Sequence, residues 1–457
     1  MRTYLFYDIE TTGLNKAFDQ IIQFAAIRTD SELNEMERLE LLIKINPDVT
    51  PSPHAAIIHR IHLKNLSTEM NELSAIQKIH QWVNQPGTIS LGYNTLNFDD
   101  EFLRFSFYRN LLPPYQHQFK NQCKRMDIYP MALFFFLFKK NVIEWPTLNE
   151  KTSFKLENLN IANQLIAGAS HHAMVDTEVT LAIARAFFKE RKMWDYIAGY
   201  FDKDIEIARL QPLYNTLFIM IDGRLSIDYY QSIVLCLGYH KHYKNQLLWL
   251  RIDTQTLTDL TLETVETTPI IRKKLGEPNF LLPFKERFLT HMSADRIKLA
   301  NANKQWLEKN SAILQALITH HTEKKYPFYP ETDIDARLYL NGFWNKSEEQ
   351  FCHAFHAASH PKEKAKLTEK LNEGPLKTLA IRILGRHYPE VLGRPEQEIF
   401  ANYLEKAKKG GLIDFQGKSR LTPNAGLEEI AHIQQNETLD AEQIILLKEW
   451  RSLFCDQ

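Results

Sequence analysis

The run YLFYDIE at residues 4–10 constrains this chain more than any other stretch. On a strand, side chains alternate between faces. Tyr4, Phe6, Asp8 and Glu10 therefore share one side, while Leu5, Tyr7 and Ile9 fill the other. A strand that is apolar on both faces belongs in the middle of a sheet. Two carboxylates in such a place repel each other, and an unpaired buried carboxylate is costly. A divalent cation compensates best, since Mg2+ takes oxygen ligands and is held by one or two carboxylates plus substrate phosphates. The competing reading of these residues alone is a strand end, with both acids in solvent and Thr12-Gly13 starting a turn.

At 457 residues the chain is too long for one hydrophobic core, so two or three domains are expected. Residues 1–190 alternate strand runs (YLFYDI, IIQFAAIRT, LELLIKI, TISLGY) with helical stretches, an α/β pattern. Residues 200–260 are β-branched and aromatic, and Asp222-Gly223 predicts a hairpin turn. A helix-period stretch starts at Ser293, and from about Ser347 almost everything is helical. The expected division is 1–190, 191–340 and 345–457. The run MALFFFLF at 131–138 is too short to span a bilayer and predicts a buried helix. Cys123, Cys236, Cys352 and Cys455 lie far apart with no CxxC pair, which fits a reducing compartment and argues against zinc or a disulfide framework. With no basic-then-apolar signal at the N-terminus, a cytoplasmic location is expected. A net charge of −1 gives no nucleic-acid signature, so any such binding must use a local basic groove.

Two further segments carry acids. In GYNTLNFDDEFLRFSFYRN (92–110), a strand end and turn lead into a helix. Asp99 sits near its first turn, where the helix dipole tolerates an acid. Phe98, Phe102 and Phe105 predict the buried stripe of that helix. In SHHAMVDTEVTLAIARAFF (170–188), helical spacing lines Asp176 up with Val179, Thr180, Ile183 and Phe187. His171, five residues earlier, does not align with Asp176 on one helix. It is expected on the loop just ahead, able to swing over the site, with His172 a surface residue.

Asp-x-Glu on a first strand, a helix-start Asp after N-x3-F and His-x4-Asp on a late helix together resemble the DEDDh family of 3′–5′ exonucleases. The strings QFAAIRTDSELNEM (23–36), LGYNTLNFDDEFLRFSFYRNLLPPY (91–115), RMD (125–127), WP (145–146), SFKLENLNIAN (153–163) and DARLYLNGFW (335–344) narrow the resemblance to the bacterial exonuclease I family. The resemblance implies an α/β fold: a ribonuclease-H-like mixed-sheet exonuclease domain, then an SH3-like β-rich domain and an all-helical C-terminal domain. By the same resemblance Asp8, Glu10, Asp99 and Asp176 hold two Mg2+ ions, with Mn2+ a substitute, and His171 is the general base. Arg104, Thr11 and Phe98 are the implied substrate contacts. The reaction implied is degradation of single-stranded DNA to 5′-mononucleotides, in DNA repair and recombination.

For Arg104 and Arg109 the bland reading is a surface charge. The implied partners are single-stranded DNA and the acidic C-terminal tail of single-stranded-DNA-binding protein, with the chain a monomer. Two departures stand out: HRI at 59–61 where the family shows TGI, and His172 where it tends to have Asp. Two other readings compete. One is a DEDDh exoribonuclease trimming RNA 3′ ends, against which the long C-terminal extension speaks. The other is an inactive nucleic-acid-binding scaffold, against which all five intact site positions speak.

Overall fold

The computed structural model describes residues 2–67, 69–167, 172–289 and 291–455. Strands β1 (Thr3–Thr11), β2 (Ile21–Thr29), β3 (Glu35–Leu42), β4 (Thr88–Leu91) and β5 (Lys124–Arg125) form a mixed sheet in the order β3-β2-β1-β4-β5. β1 is central, antiparallel to β2 and parallel to β4. Its faces separate as the alternation predicts. Tyr4 and Phe6 enter one core with Ala25 and Ile27, while Leu5, Tyr7 and Ile9 enter another with Phe24 and Ala26. β4 pairs only with Thr3–Phe6, so Asp8 and Glu10 lie on the part of β1 that runs past the end of β4.

The helices of this region are α1 (Pro53–His59), α2 (Leu63–Leu66), α3 (Glu72–Val83), α4 (Asp99–Arg109), α5 (Ile128–Phe138), α6 (Leu156–Asn163), α7 (Ala173–Phe188), α8 (Arg191–Ala198) and α9 (Lys203–Arg209). A short ribbon, β6 (Thr147–Leu148) with β7 (Lys151–Thr152), precedes α6. α3 and α4 cover the Leu5 face of the sheet, and α5 and α7 cover the Phe6 face. α5 holds the MALFFFLF run and is buried almost throughout, as expected.

Strands β8 (Leu217–Ile221), β9 (Gln231–Tyr239), β10 (Gln246–Arg251), β11 (Ile270–Lys274) and β12 (Phe280–Pro283) build a second, antiparallel sheet in the order β11-β10-β9-β8-β12. It reaches beyond the 200–260 stretch, because β11 and β12 carry little of the apolar alternation that marks the other three. Asp222-Gly223 is not a two-residue hairpin turn. Asp222 caps a short 3-10 segment, Gly223–Asp228, by accepting the Arg224 N–H, and Tyr229 and Tyr230 take the positive φ angles. Gly223 is required by packing instead: a Cβ there would lie 2.1 Å from the Tyr129 hydroxyl oxygen.

The helix-period stretch from Ser293 divides at Asn310 into α10 (Ala294–Lys309) and α11 (Ser311–Glu323). α12 (Lys346–Ala357), α13 (Pro361–Glu369), α14 (Pro375–His387), α15 (Arg394–Lys408), α16 (Pro423–Asn436) and α17 (Ala441–Cys455) complete the chain. They dock on the first region through apolar and ionic contacts. Phe105 and Tyr108 of α4 share a core with Leu379, Leu384 and Phe400, while Phe102 and Phe107 face the sheet. α4 is therefore buried on both sides rather than along one Phe98–Phe102–Phe105 stripe. Asp48 is held by Arg386 (2.8 Å) and Arg420 (3.2 Å), and these charges hold the Asp48 carboxyl far below its usual range.

The HRI departure has a structural counterpart. Arg60 caps α1 in the left-handed region (φ 56°), a conformation that favours glycine. Its guanidinium reaches Asp440 and Glu442, each at 2.7 Å, and His59 packs its ring on Trp450.

Candidate active site

Asp8 and Glu10 leave β1 on one face, and the first turn of α7 brings Asp176 to them. Carboxylate oxygens from these three residues lie within 4.8 Å of one another. α7 is tied down here by the Ala173 N–H, which donates to Gln23 on β2 (3.3 Å), opposite Glu10. Val179, Thr180, Ile183 and Phe187 are buried, so the stripe expected for α7 is real and Asp176 ends it at the site.

Asp99 opens α4 and is buried there; its charge bears on Asp8 and Glu10, but its carboxylate is not one of the three that lie within 4.8 Å of one another. The loop before it must cross close to β1. A Cβ on Gly92 would lie 2.4 Å from the Tyr7 carbonyl oxygen, which requires glycine there. Asp127, from the RMD string, fixes that loop by accepting the N–H groups of Asn94 (2.8 Å) and Leu96 (3.1 Å), and it caps α5 through Tyr129 (3.0 Å). Burial pushes the Asp127 carboxyl up to about 7.

The electrostatics all press one way. Burial, followed by the charges of Asp99, Glu10 and Asp176, pushes Asp8 well above the usual carboxyl range. Burial, then Asp176 and Asp99, does the same to Glu10. Asp99 is raised chiefly by its own burial. Clustered carboxylates that cannot all ionise comfortably make a hard, all-oxygen donor set, the chemistry that Mg2+ and Mn2+ prefer. The four acids fit a divalent site.

The other expected residues fall as follows. His171 lies outside the described residues. His172 is exposed at the start of α7, with its Nε2 3.6 Å from Glu40, as expected of a surface residue. Thr11 is buried and its hydroxyl donates to the Gly13 carbonyl (2.8 Å). Phe98 is half-buried with its ring against Phe102. Arg104 is neither a surface charge nor free for phosphate. It is buried, paired with Asp100 (2.9 Å) and Glu101, and lies over the Tyr115 ring. Arg109 is also buried, donating to the carbonyls of Ala17 and Asp19 and to Glu72.

The groups that line the neighbouring cleft carry little signal in the sequence. A cavity of about 1070 Å³ opens between the first sheet's domain and the second sheet, with Asp176 in its wall. Lys155, Arg224, Arg272 and Lys274 line it beside the acids Glu157, Asp222 and Glu277, with Arg224 held by Asp222 at 2.6 Å, and Tyr93 and Tyr129 supply rings. Lys155 falls within the SFKLENLNIAN string; the other three cations sit in β-rich sequence with no local signal.

Comparison with known proteins bears on this arrangement. The Exonuclease family profile matches residues 5–184, and the Exonuclease I C-terminal domain profile matches residues 332–454. The chain is 27% identical to exodeoxyribonuclease I of Escherichia coli strain K12, over 98% of this chain and 96% of that one. The chain belongs to the bacterial exonuclease I family. Its fold agrees. The structure of E. coli exonuclease I in complex with a dA16 oligonucleotide superposes with a TM-score of 0.89, covering 100% of both chains at 24% identity. A zinc-bound form of the E. coli exonuclease I–single-stranded-DNA complex gives 0.87, at 24% identity over 100% of this chain and 99% of that one. This exonuclease I fold comprises the ribonuclease-H-like domain, the SH3-like second sheet and the helical C-terminal domain. Among its described residues, no helix is long and apolar enough to cross a membrane.

Proposed function

We propose that this chain is a 3′–5′ exodeoxyribonuclease that hydrolyses single-stranded DNA to 5′-mononucleotides. The observation that carries the reading is the cluster of Asp8, Glu10 and Asp176 at the end of β1, with Asp99 opening the helix alongside, next to a cleft that carries cations and rings. The relatives that match nearly the whole chain are exodeoxyribonucleases, so the RNA-trimming reading is not favoured.

The enzyme depends on divalent metal. Asp8, Glu10, Asp99 and Asp176 would hold two Mg2+ ions, with Mn2+ able to replace them. Bound there, the cations supply Lewis-acid stabilisation to the attacking and leaving oxygens of an in-line displacement. His171 takes the proton of the attacking water; an imidazole with an ordinary pKa of about 6.5 suits that task at neutral pH. Lys155, Arg224, Arg272 and Lys274 hold phosphates of the strand, and Tyr129 offers a face for a base. Working as a monomer in the cytoplasm, in DNA repair and recombination, and binding the acidic C-terminal tail of single-stranded-DNA-binding protein, are readings that rest on the family resemblance. So does the division into 1–190, 191–340 and 345–457.

The test is hydrolysis of a labelled single strand, a blunt duplex and an RNA of the same sequence, with Mg2+ and with EDTA. The single DNA strand should be degraded fastest, only with metal, and not by the Asp8→Ala protein. Faster cleavage of the RNA would overturn the substrate, and metal-supported turnover by Asp8→Ala would overturn the site.

A further inference from the structure

We propose that Glu277 of the SH3-like domain and Tyr339 of the C-terminal region are positioning residues for Asp99, so that docking of the accessory domains sets the chemistry as well as the grip on DNA. The proposal rests on the metal-site reading above.

Three consecutive acids open α4, and each has a different job. Asp99 is buried at the start of the helix, and its charge falls on Asp8. Asp100 is wholly buried behind it and accepts from His117 Nε2 (2.8 Å) and Arg125 Nη1 (2.5 Å), with Arg104 Nη2 at 2.9 Å. Glu101 pairs with Arg104 and accepts the Tyr339 hydroxyl. The second domain closes the set, because Arg125 Nη2 reaches Glu277 Oε1 at 3.4 Å and Arg104 Nη2 lies 3.9 Å from the same oxygen. Three parts of the chain thus meet on one helical turn, and that turn carries a metal ligand.

The two accessory contacts come from stiff supports. Glu277 sits in the β11–β12 connection, which the buried Lys273 holds by donating to the Lys274 and Glu277 carbonyls (3.0 Å each) and pairing with Glu206 (2.7 Å). Glu206 in turn accepts the Gly276 N–H (2.7 Å). Tyr339 packs edge-on against the stacked rings of Phe105 (5.5 Å) and Phe415 (5.2 Å). Groups behind a metal ligand fix its direction, and their loss typically costs about 10–100-fold in metal affinity or activity. An ion pair that merely glued the domains would change stability and leave the metal alone.

The experiment measures Mn2+ binding without DNA, by the loss of the free-ion EPR signal, and turnover of thymidine 5′-(p-nitrophenyl phosphate), a substrate too small to span the domains. Glu277→Gln and Tyr339→Phe keep size and shape and should fold. Each should weaken Mn2+ binding by about 3–10-fold and lower kcat on the ester with KM little changed, milder than the 10–100-fold of a direct outer ligand. Arg296→Ala, which removes a brace to Asp253 and the Gln231 carbonyl inside the second domain, should lower Tm and leave Mn2+ affinity at the wild-type value. Wild-type Mn2+ affinity in both Glu277→Gln and Tyr339→Phe would overturn the proposal. Failure of the wild type to bind Mn2+, or undiminished binding by Asp8→Ala, would instead overturn the metal site itself.

Discussion

Replacing Asp8 with Asn should stabilise the metal-free protein and make it indifferent to Mg2+. The carboxylate oxygens of Asp8, Glu10 and Asp176 lie within 4.8 Å of one another, and two unit charges at that separation repel by about 3.5 kcal/mol at an effective dielectric of about 20. Burial first, and then the charges of Asp99, Glu10 and Asp176, raises the Asp8 carboxyl well above its ordinary value of 3.8. A carboxyl raised on folding favours the native state fully below its unfolded pKa. That contribution is lost as pH rises toward the folded value. The metal-free wild type should therefore weaken as pH rises above about 4, and Asp8→Asn should weaken less. We expect the variant to gain about 1–2 kcal/mol in EDTA at pH 8, and less at pH 5. For an unfolding unit the size of the nuclease domain, each kcal/mol is about 2–4 °C in Tm. Mg2+ at a hundred times its Kd adds about 2.7 kcal/mol to the wild type and little to the variant, so the order of the two proteins reverses. Thermal unfolding followed by circular dichroism at both pH values, with EDTA or Mg2+, reads all four corners. A variant less stable than wild type in EDTA at pH 8 would refute the repulsion argument.

Three other outcomes follow from the same structure. His171→Ala should slow single-turnover cleavage by about 10²–10⁴-fold and flatten the histidine-like rise of rate with pH, while the exposed His172→Ala stays near wild type; the reverse pattern would reassign the base. Binding of a labelled single strand should weaken steeply with salt as phosphates displace counterions, and Arg272→Ala together with Lys274→Ala should reduce that slope, which fluorescence anisotropy at several salt concentrations measures. Arg60→Gly removes two solvent-screened ion pairs of small worth but relieves a left-handed backbone costing about 1–2 kcal/mol, so its Tm should stay near wild type, whereas Arg60→Ala keeps the strain, loses the pairs and should melt lower.

What the sequence made legible was whatever depends on a local period. The two faces of β1 follow from alternation alone, and the partition of Phe6 and Tyr7 between two cores bears it out. Asp176 could be placed at the end of a buried stripe because 3.6 residues per turn leaves few choices. These two readings converge because the same geometry that buries apolar neighbours delivers the acids to one point. A strand end with both acids fully in solvent, open on sequence alone, is not what forms: Asp8 and Glu10 run past the end of β4 but stay paired to β2 and are half-buried.

Partners at long range were not legible, and Arg104 shows why. Its helical position identifies a cation near Asp99, but not whether a phosphate or a protein carboxylate will face it. Asp100 and Glu101 of its own helix face it, and Glu277, 173 positions further on in sequence, joins them at 3.9 Å only when the second sheet docks. β11, which leads into Glu277, has the residues IIRKK, whose charges hide a strand that pairs with the strongly apolar β10. The HRI string is the opposite case. It marks a place where the chain gives up a glycine, and a residue held at φ 56° persists only if its surroundings over-determine it. Asp440 and Glu442 on the Arg60 guanidinium, and Trp450 on the His59 ring, are those surroundings. The departure from TGI is thus explained by contacts that α1 makes with α17, and the region that carries the nuclease acids and the last helix of the chain are fastened to each other at that turn.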